Sequence, residues 1–358
     1  MTDTNPAERL ARVIADITGG DTAARTAAEE HQNQLLKPPG SLADLEVLGC
    51  QLAAITGQCP PPVPEPALVA VFAGDHGVQA HTPSPWPQEV SRQMAAGVVA
   101  GGAGVSVLAR HAGADVAVYD VGLLAALPAD SGVIDRRVAA GTADMTRGPA
   151  MTPEQCLAAI NAGLDVAADA VARGYRCLIA GEVGIGNTTP AAALVAVIAG
   201  VSPDAATGAG AGAQGERLAR KKQLVATAIE VNHASADDPL AALAAVGGLE
   251  HAAIVGFLLG AAAARVPVIL DGVIVCSAAL VAAALAPGAR DLWIAGHAGA
   301  EPGIEAALAA LGLTPVLALG MRLGEGTGAV TALPVVQAAA KIMREMATFA
   351  SAGIAPGA

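Results

Sequence analysis

Residues 175–200 have the sequence YRCLIAGEVGIGNTTPAAALVAVIAG, and this stretch decides the fold. The apolar run Cys177–Ala180 lies between two glycines and is too short for a helix, so it predicts a β-strand. The run Ala191–Ala199 contains no Gly or Pro and predicts a helix. A proline is favoured at the first helical position, which places Pro190 there and makes Thr189 the predicted N-cap. The stretch therefore predicts a strand, a glycine-rich loop and a helix in succession.

The loop between this strand and helix has the character of an anion site. The start of a helix presents unpaired N–H groups and a positive dipole end, and Gly184 and Gly186 let a ligand approach the backbone closely. The segment lacks the Gly-Lys-Ser/Thr of a Walker A loop and the third glycine of the dinucleotide fingerprint. A phosphate is the predicted ligand, with Glu182 facing ribose hydroxyls or a positive ring. An ordinary glycine turn before a capped helix is the alternative.

The rest of the chain repeats the strand and helix pattern. Apolar β-branched runs alternate with long alanine-rich runs, which predicts an α/β fold with a doubly wound, mainly parallel six-stranded sheet and helices on both faces. The predicted strands are Leu68–Phe72, Val116–Tyr119, Cys177–Ala180, Val266–Leu270, Leu292–Ala295 and Val316–Leu319. Each leads into glycine and an acidic residue or histidine. Because ligands bind at the carboxyl ends of parallel strands, these side chains predict one shared crevice.

The chain ends have a purely helical pattern. Helices are predicted for Pro6–Asp16, Thr22–Leu36 and Leu42–Ile55, the last capped by Ser41, and for a long final segment, Gly328–Phe349. Residues 59–66 form a proline-rich connector after the first three helices. We therefore expect a small helical domain of residues 1–60, joined by residues 335–358, and a Rossmann-like α/β domain of residues 61–334.

The amino-acid composition of the chain limits the kinds of molecule that the protein is expected to bind. Of 358 residues, 53% are apolar and only 2% aromatic, so a large core must be packed from Ala, Val, Leu and Ile. A formal net charge of -12 argues against a nucleic-acid or anionic membrane surface and favours small-molecule partners. Two uncharged runs, residues 183–203 and 272–289, reach membrane-spanning length but contain Gly or Pro breaks, so no membrane span is predicted.

Cysteine and histidine usage predicts neither disulfides nor a metal site. The five cysteines have no CxxC or metal-ligand spacing and are predicted to be free thiols, and the scattered histidines form no zinc pattern. The first residues carry acids and no apolar segment typical of a signal peptide. We therefore expect a cytoplasmic location.

Several sequence blocks, taken together, resemble one enzyme family. They are KPPGSL at residues 37–42, VFAGDHGV at 71–78, PQEV at 87–90, GEVGIGNTT at 181–189, LDG at 270–272, AEPG at 300–303 and RLGEGTGA at 322–329. In this order the blocks resemble the nicotinate-nucleotide:dimethylbenzimidazole phosphoribosyltransferases, the CobT family of cobalamin lower-ligand synthesis. The pair GEVGIGNTT and RLGEGTGA is the most specific part of the resemblance.

The resemblance implies transfer of phosphoribose from nicotinate mononucleotide to 5,6-dimethylbenzimidazole, giving α-ribazole 5'-phosphate and nicotinate. It also implies a homodimer that needs no cofactor and no metal. Carried onto matching positions, the resemblance makes Glu325 the general base. The implied nucleotide-binding residues are Glu182, Gly184, Gly186, Asn187, Thr188, Thr189, Lys221, Asp271 and His297. The implied benzimidazole-binding residues are Asp75, Ser84, Trp86, Gln88 and Leu323.

The chain departs from the family pattern at three positions. Ala209 stands where the family usually has arginine, Gly299 where it has serine, and Trp86 where it has tyrosine. Trp86 enlarges one wall of the base pocket and removes a hydroxyl, which predicts a changed preference among benzimidazoles. Two alternatives stay open: a non-catalytic nucleotide- or azole-binding protein, and an NAD-dependent oxidoreductase, for which the full glycine fingerprint is missing.

Overall fold

Six strands form a single sheet within residues 5–355, the part of the chain that the computed structural model describes. They are β1 (Ala67–Gly74), β2 (Ala114–Gly122), β3 (Ile134–Asp135), β4 (Cys177–Val183), β5 (Val268–Leu270) and β6 (Trp293–Ala295). The strand order is β3-β2-β1-β4-β5-β6, and every pair is parallel. The predicted α/β fold with a six-stranded parallel sheet is confirmed.

Helices surround this sheet. In chain order they are α1 (Pro6–Ala15), α2 (Thr22–Gln32), α3 (Asp44–Thr56), α4 (Val90–Val99), α5 (Gly104–Ala112), α6 (Pro153–Ala172), α7 (Thr188–Ile198), α8 (Pro203–Ala206), α9 (Glu216–Asn232), α10 (Pro239–Val246), α11 (Leu249–Ala263), α12 (Val273–Leu285), α13 (Gly303–Leu311) and α14 (Thr327–Glu345). None of these helices combines the length and the apolar character that crossing a bilayer requires.

The direction of the strand order reverses between β1 and β4. From β1 the sheet continues to β2 and β3 on one side, and from β4 it continues to β5 and β6 on the other. All eight residues of β1 and all seven of β4 are buried, as expected for central parallel strands covered on both faces. Ligands of doubly wound sheets bind at this reversal, beyond the carboxyl ends of the strands. The loops after Gly74 and Val183 therefore lie where a site is expected.

Small residues allow the helices to pack closely. A Cβ atom on Gly163 of α6 would lie 1.8 Å from the carbonyl oxygen of Ala253 in α11, and one on Gly256 would lie 1.9 Å from that of Ile160. No side chain fits at such distances, so glycine is required at both positions. Because the chain is rich in small residues and poor in aromatic ones, its helix backbones can pack in close contact.

One predicted strand is wrong and one was missed. Val316–Leu319 forms no strand, and its only pairing in the described chain is an isolated bridge between Leu317 and His297. The neighbouring strand β6 has only three residues, so it offers few hydrogen bonds to a further strand. Leu319 is 62% exposed, so the segment also lacks the buried face that would stabilise a strand. The sixth strand is instead β3, which is two residues long and lies at the opposite edge of the sheet. A segment this short has no detectable alternation.

Helices from the two chain ends pack together. Ala28 of α2, Cys50 and Ala53 of α3, and Met343 of α14 form a small apolar cluster separate from the main core. The amino-terminal helix α1 instead lies on α6, where Arg9 forms a 2.7 Å ion pair with Asp165. The division into a helical domain of residues 1–60 and 335–358 and an α/β domain of residues 61–334 stays a prediction.

The predicted cap of α3 is wrong. The helix begins at Asp44 with Ala43 as N-cap, and Ser41 makes no capping hydrogen bond. Glu46, inside the first turn, accepts hydrogen bonds from the N–H groups of Gly40 and Leu42 and lies 2.7 Å from Lys37 Nζ. The Glu46 carboxylate, inside α3, therefore stabilises the turn of residues 37–42 that precedes the helix. Helix α2 also ends at Gln32, four residues earlier than predicted.

Candidate active site

The glycine-rich loop after β4 leads directly into helix α7. The helix begins at Thr188 with Asn187 as N-cap, so the predicted cap at Thr189 is wrong by two residues. Gly186 has a φ of 92°, a left-handed conformation that glycine adopts without strain, and this lets the chain turn into the helix early. Pro190 falls in the first turn, where its missing N–H breaks no helical hydrogen bond.

Local hydrogen bonds fix the shape of this loop. The N–H of Asn187 donates to Gly184 O at 3.1 Å, and the N–H of Thr189 donates to Gly186 O at 2.9 Å. The N–H of Ile185 donates at 2.9 Å to the hydroxyl of Ser91, which is fully buried in α4. The start of α7 is thereby held with its positive dipole end facing the cavity described below.

Glu325 lies beside this loop on a strained segment. It has a φ of 64° and stands between Gly324 and Gly326, whose φ values are 85° and 93°. Its backbone N–H donates at 3.3 Å to Oε1 of Glu182 in β4. A Cβ atom on Gly181 would lie 2.2 Å from the carbonyl oxygen of Glu325, so the loop rests directly on the strand. A left-handed non-glycine residue is held only by such surroundings, and it is typical of functional sites.

The carboxyl group of Glu325 is nearly buried, with 5% of the residue exposed. Its Oε2 accepts a 3.3 Å hydrogen bond from the N–H of Val105 in the first turn of α5. Burial raises the pKa of Glu325, the Val105 hydrogen bond opposes this rise, and the negative charge of Asp271 adds to it. Both features suit a group that accepts a proton near neutral pH.

Glu182 connects the two loops. Its Oε1 accepts from the Glu325 backbone, and its Oε2 accepts from the side-chain amide of Asn187. Burial raises the pKa of Glu182 well above its ordinary value, and the negative charges of Asp271 and Glu250 raise it further. Both oxygens of Glu182 are thus already engaged in hydrogen bonds, whereas Oε1 of Glu325 accepts none within residues 5–355.

Asp271 fixes the start of α14. Its carboxylate accepts from the N–H of Gly326 at 3.2 Å and from the N–H of Ala329 at 3.0 Å. His297 Nε2 lies 3.4 Å from Oδ1 of the same carboxylate. Asp271 therefore lies behind the cavity wall and positions both the Glu325 loop and His297, which does line the cavity.

Lys221 approaches the start of α7 from α9. It is only 2% exposed, and its Nζ donates to Thr188 Oγ1 at 2.8 Å and to Gly208 O at 2.9 Å. Burial lowers the pKa of Lys221 to about 8, against the opposing effect of the negative charge of Glu301. A cation held beside a helix start is a suitable partner for a phosphate.

The residues predicted for the benzimidazole divide into two groups. Ser84, Trp86 and Leu323 line the cavity, and the indole N–H of Trp86 donates at 3.2 Å to Ala211 O. Asp75 and Gln88 lie outside the lining and contact each other, with 2.6 Å between Gln88 Nε2 and Asp75 Oδ1. The other oxygen of Asp75 accepts from the N–H of Leu124 at 2.9 Å. Asp75 and Gln88 therefore brace the loop that carries Ser84 and Trp86.

These side chains surround one cavity of about 330 Å³ at the β1/β4 reversal, a volume suited to a small organic ligand. Of the predicted residues, it is lined by Ser84, Trp86, Glu182, Gly184, Gly186, Asn187, Thr188, Thr189, Lys221, His297, Leu323 and Glu325. Asp75, Gln88 and Asp271 are the predicted residues that do not line it. The sequence analysis did not identify apolar residues of the cavity wall such as Val90 and Met94. Their one sequence feature is a separation of four residues, which places them on the same face of α4.

Comparisons with known proteins agree with this architecture. A family model described as Phosphoribosyltransferase matches residues 17–354. A protein of Salinispora tropica named nicotinate-nucleotide--dimethylbenzimidazole phosphoribosyltransferase is 49% identical, over 97% of this chain and 99% of its own. A protein of the same name from Roseiflexus castenholzii is 47% identical, over 96% of this chain and 98% of its own.

A solved structure gives the same result. The crystal structure of the phosphoribosyltransferase of that name from Thermus thermophilus matches with a TM-score of 0.89 and 45% identity, covering 94% of this chain and 100% of that one. The family model and the relatives each cover nearly all of the chain. This chain therefore belongs to the family of nicotinate-nucleotide–dimethylbenzimidazole phosphoribosyltransferases.

Proposed function

We propose that this protein transfers the phosphoribosyl group of nicotinate mononucleotide to 5,6-dimethylbenzimidazole or a related azole. The products are α-ribazole 5'-phosphate, for the lower ligand of cobalamin, and nicotinate. One observation carries the proposal: the carboxyl group of Glu325 and the turn of residues 184–189 line the same cavity. The names of relatives that are 47% to 49% identical to the chain support the same activity.

The nucleotide is assigned to the side of the cavity formed by α7 and α9. There the helix start, Thr188 and Lys221 offer N–H, hydroxyl and ammonium donors to a phosphate. Thr189 Oγ1 and His297 Nδ1 are buried and have no hydrogen-bond partner among residues 5–355. Buried polar atoms are nearly always satisfied, so these two atoms support a ligand that carries polar groups of its own.

The azole is assigned to the side lined by Ser84, Trp86 and Leu323, next to Glu325. In the proposed step, a nitrogen of the azole forms a bond to the anomeric carbon of the ribose as the bond from that carbon to the pyridinium nitrogen breaks. The bonding electrons return to the ring nitrogen, which becomes neutral, and the ring leaves as nicotinate, so no general acid is needed. Attack from the face opposite the leaving group converts a β-nucleotide into an α-product.

Glu325 is assigned as the general base. When the azole ring becomes cationic, its remaining N–H is acidic, and Oε1 of Glu325 accepts that proton, since Oε2 is engaged by Val105. Glu182 is not assigned as the base, because both of its oxygens are engaged by the two loops that it joins, and it is assigned to the nucleotide because it lines the cavity beside the turn. General-base assistance of this kind contributes about 10²- to 10⁴-fold in rate, and alignment of the two rings contributes much of the rest.

Incubation with nicotinate mononucleotide and a panel of azoles, with products identified by mass, tests this function. We expect nicotinate and an azole riboside phosphate to appear together, and neither to form when the azole is omitted. Binding of the mononucleotide without any product would instead support the non-catalytic alternative. Thermal stabilisation by NAD but not by the mononucleotide would favour the oxidoreductase alternative.

We also propose that the protein is a homodimer and acts in the cytoplasm. Leu323, which lines the cavity, and Leu319, four residues before it, are 60% and 62% exposed, which supports a contact with a second copy. Sedimentation equilibrium gives the assembly mass directly, and a monomer at micromolar concentration would contradict the first proposal. All five cysteines are free thiols, as expected in a reducing compartment, and this supports the second.

A further inference from the structure

A second cluster of ionisable side chains lies behind the cavity wall. Glu250 and His251 are in the first turn of α11, and His76 follows β1; their side chains are 0%, 0% and 1% exposed. His76 Nε2 lies 2.8 Å and His251 Nδ1 lies 2.9 Å from the same oxygen, Oε1 of Glu250. None of the three lines the cavity, and the chemistry proposed above assigns a role to none of them.

The charges within this cluster are coupled. Burial on its own lowers the pKa of His76, but the Glu250 and Asp75 carboxylates outweigh it and raise the pKa overall. Burial on its own raises the pKa of Glu250, but His76 and His251 outweigh it and lower the pKa overall. Both directions are those expected for a carboxylate close to an imidazolium. The contacts are close charge contacts and not hydrogen bonds, because both oxygens of Glu250, both ring nitrogens of His251 and Nε2 of His76 lack a hydrogen-bond partner among residues 5–355. The position of Glu250 at a helix start also favours its negative charge.

His76 lies directly beneath the turn of residues 184–189, the nucleotide turn. A Cβ atom on Gly184 would lie 3.2 Å from His76 Nε2 and 2.4 Å from the carbonyl oxygen of Gly74. A Cβ atom on Gly248, which precedes α11, would lie 2.5 Å from His76 Cε1. The imidazole thus fills the space between the turn and the start of α11. Ser91 holds the turn from α4, and His76 supports it from below.

We propose that Glu250, with His76 and His251, is a positioning residue for the proposed reaction: the buried ion pair fixes His76 beneath the nucleotide turn and so fixes the contacts that the turn makes with the nucleotide. The inference rests on the proposed function only for the identity of the ligand that this turn holds. Glu250→Gln keeps the shape of the side chain but removes the charge that retains the proton on His76. The turn then loses a rigid support, while the Glu325 carboxyl group keeps its own contacts.

The test compares Glu250→Gln with a matched control, Asp115→Asn. Asp115 is exposed at the amino end of β2, far from the strand ends that form the cavity, and it accepts a 2.7 Å hydrogen bond from Tyr175. Calorimetry measures binding of nicotinate mononucleotide without azole, and steady-state kinetics separates kcat from KM. We expect Glu250→Gln to weaken nucleotide binding about tenfold, the effect of losing one buried charge-assisted contact, with kcat little changed. Asp115→Asn is expected to change neither quantity.

Unchanged nucleotide binding in folded Glu250→Gln overturns the positioning role, and so does a loss confined to kcat. Absence of any transfer by the wild-type protein overturns the proposed function instead, because the binding measurement does not depend on turnover. The two failures are therefore distinguishable.

A second measurement needs neither a variant nor a substrate, and it decides the matter if Glu250→Gln does not fold. Nitrogen NMR of the wild-type chain reports whether both nitrogens of the His76 ring carry protons. The groups that face this ring are Asp75, Glu250 and His251, with Glu182 beyond the turn. We expect His76 to stay doubly protonated above the ordinary imidazole pKa of 6.5. A neutral His76 ring below that pH overturns the ion pair and with it the proposal.

Discussion

The backbone N–H of Glu325 donates a 3.3 Å hydrogen bond to Oε1 of Glu182. The other oxygen of Glu182 accepts from the side-chain amide of Asn187, the N-cap of α7 within the nucleotide turn. One buried carboxyl group therefore joins the loop that carries the proposed base to the turn that holds the proposed nucleotide. Because displacing one segment displaces the other, this link can hold two reacting rings in a fixed geometry, a requirement for rapid substitution.

Replacing Glu325 with glutamine tests the base. The amide keeps an oxygen that can accept from Val105 but cannot take a proton from the azole, so we expect kcat to fall about 10²- to 10⁴-fold. Nucleotide affinity, measured by calorimetry, is expected to stay within about threefold of the wild type, since the turn keeps its own contacts. Turnover equal to that of the wild-type protein would rule out the assignment.

The pH dependence of kcat tests the environment of the same residue. Burial, supported by the negative charge of Asp271, raises the pKa of Glu325 above 4.5. The carboxylate is the active form of a base, so kcat falls as the pH decreases through this raised value. We expect the midpoint of the acid limb to lie above 4.5, and the residual activity of Glu325→Gln to lack that limb. A midpoint at or below 4.5 in the wild type would contradict the burial argument.

Removing the Thr189 hydroxyl tests the nucleotide turn. Thr189 Oγ1 is buried without a partner among the described residues, and a phosphate or ribose oxygen is its proposed partner. We expect Thr189→Ala to raise KM for the nucleotide about threefold to tenfold, the cost of one hydrogen bond, with KM for the azole unchanged. Thr56→Ala is the control, because its hydroxyl donates to Leu52 O within α3, away from the cavity. A defect limited to the azole would refute this placement.

Much of the fold was predictable because a central parallel strand leaves a strong pattern. Cys177–Val183 is wholly buried and apolar except for Glu182, with Gly174 shortly before it and Gly184 directly after it. The ends of such strands meet at one edge of the sheet, which is why scattered acids and histidines predicted a single cavity. Two other segments, one at each edge of the sheet, leave no such pattern. Ile134–Asp135 is two residues long, and Val316–Leu319 is apolar but has only a three-residue neighbour.

Side-chain direction was the less predictable part of the site. Asp75 and Gln88 follow β1 at the expected place, yet a 2.6 Å contact between them turns both away from the cavity. The Glu250 cluster gave no signal either, because Glu250 and His251 lie in an alanine-rich apolar helix far in sequence from His76. Spacing along a chain reveals neighbours on one element, whereas these contacts join two elements across the core.

Nucleotide affinity at alkaline pH tests Lys221. Burial lowers the pKa of Lys221 to about 8, so the ammonium that faces the phosphate is lost as the pH rises through that value. We expect the dissociation constant for nicotinate mononucleotide to increase above a pH of about 8 in the wild type. In Lys221→Met, binding is expected to be weak at every pH, without this limb. Lys222→Met serves as the control, because Lys222 pairs with Asp204 on the surface at 3.1 Å and should leave the profile unchanged.

Changing Trp86 to phenylalanine tests the azole side of the cavity. The indole N–H donates at 3.2 Å to Ala211 O, which ties the loop that carries Ser84 to Ala211, another residue of the cavity wall. Phenylalanine keeps an aromatic wall but removes this hydrogen bond, so the wall is less well held. We expect KM for 5,6-dimethylbenzimidazole to rise about threefold to tenfold, while KM for the nucleotide and kcat stay near their wild-type values. If the nucleotide KM rose instead, the azole would have to be placed elsewhere in the cavity.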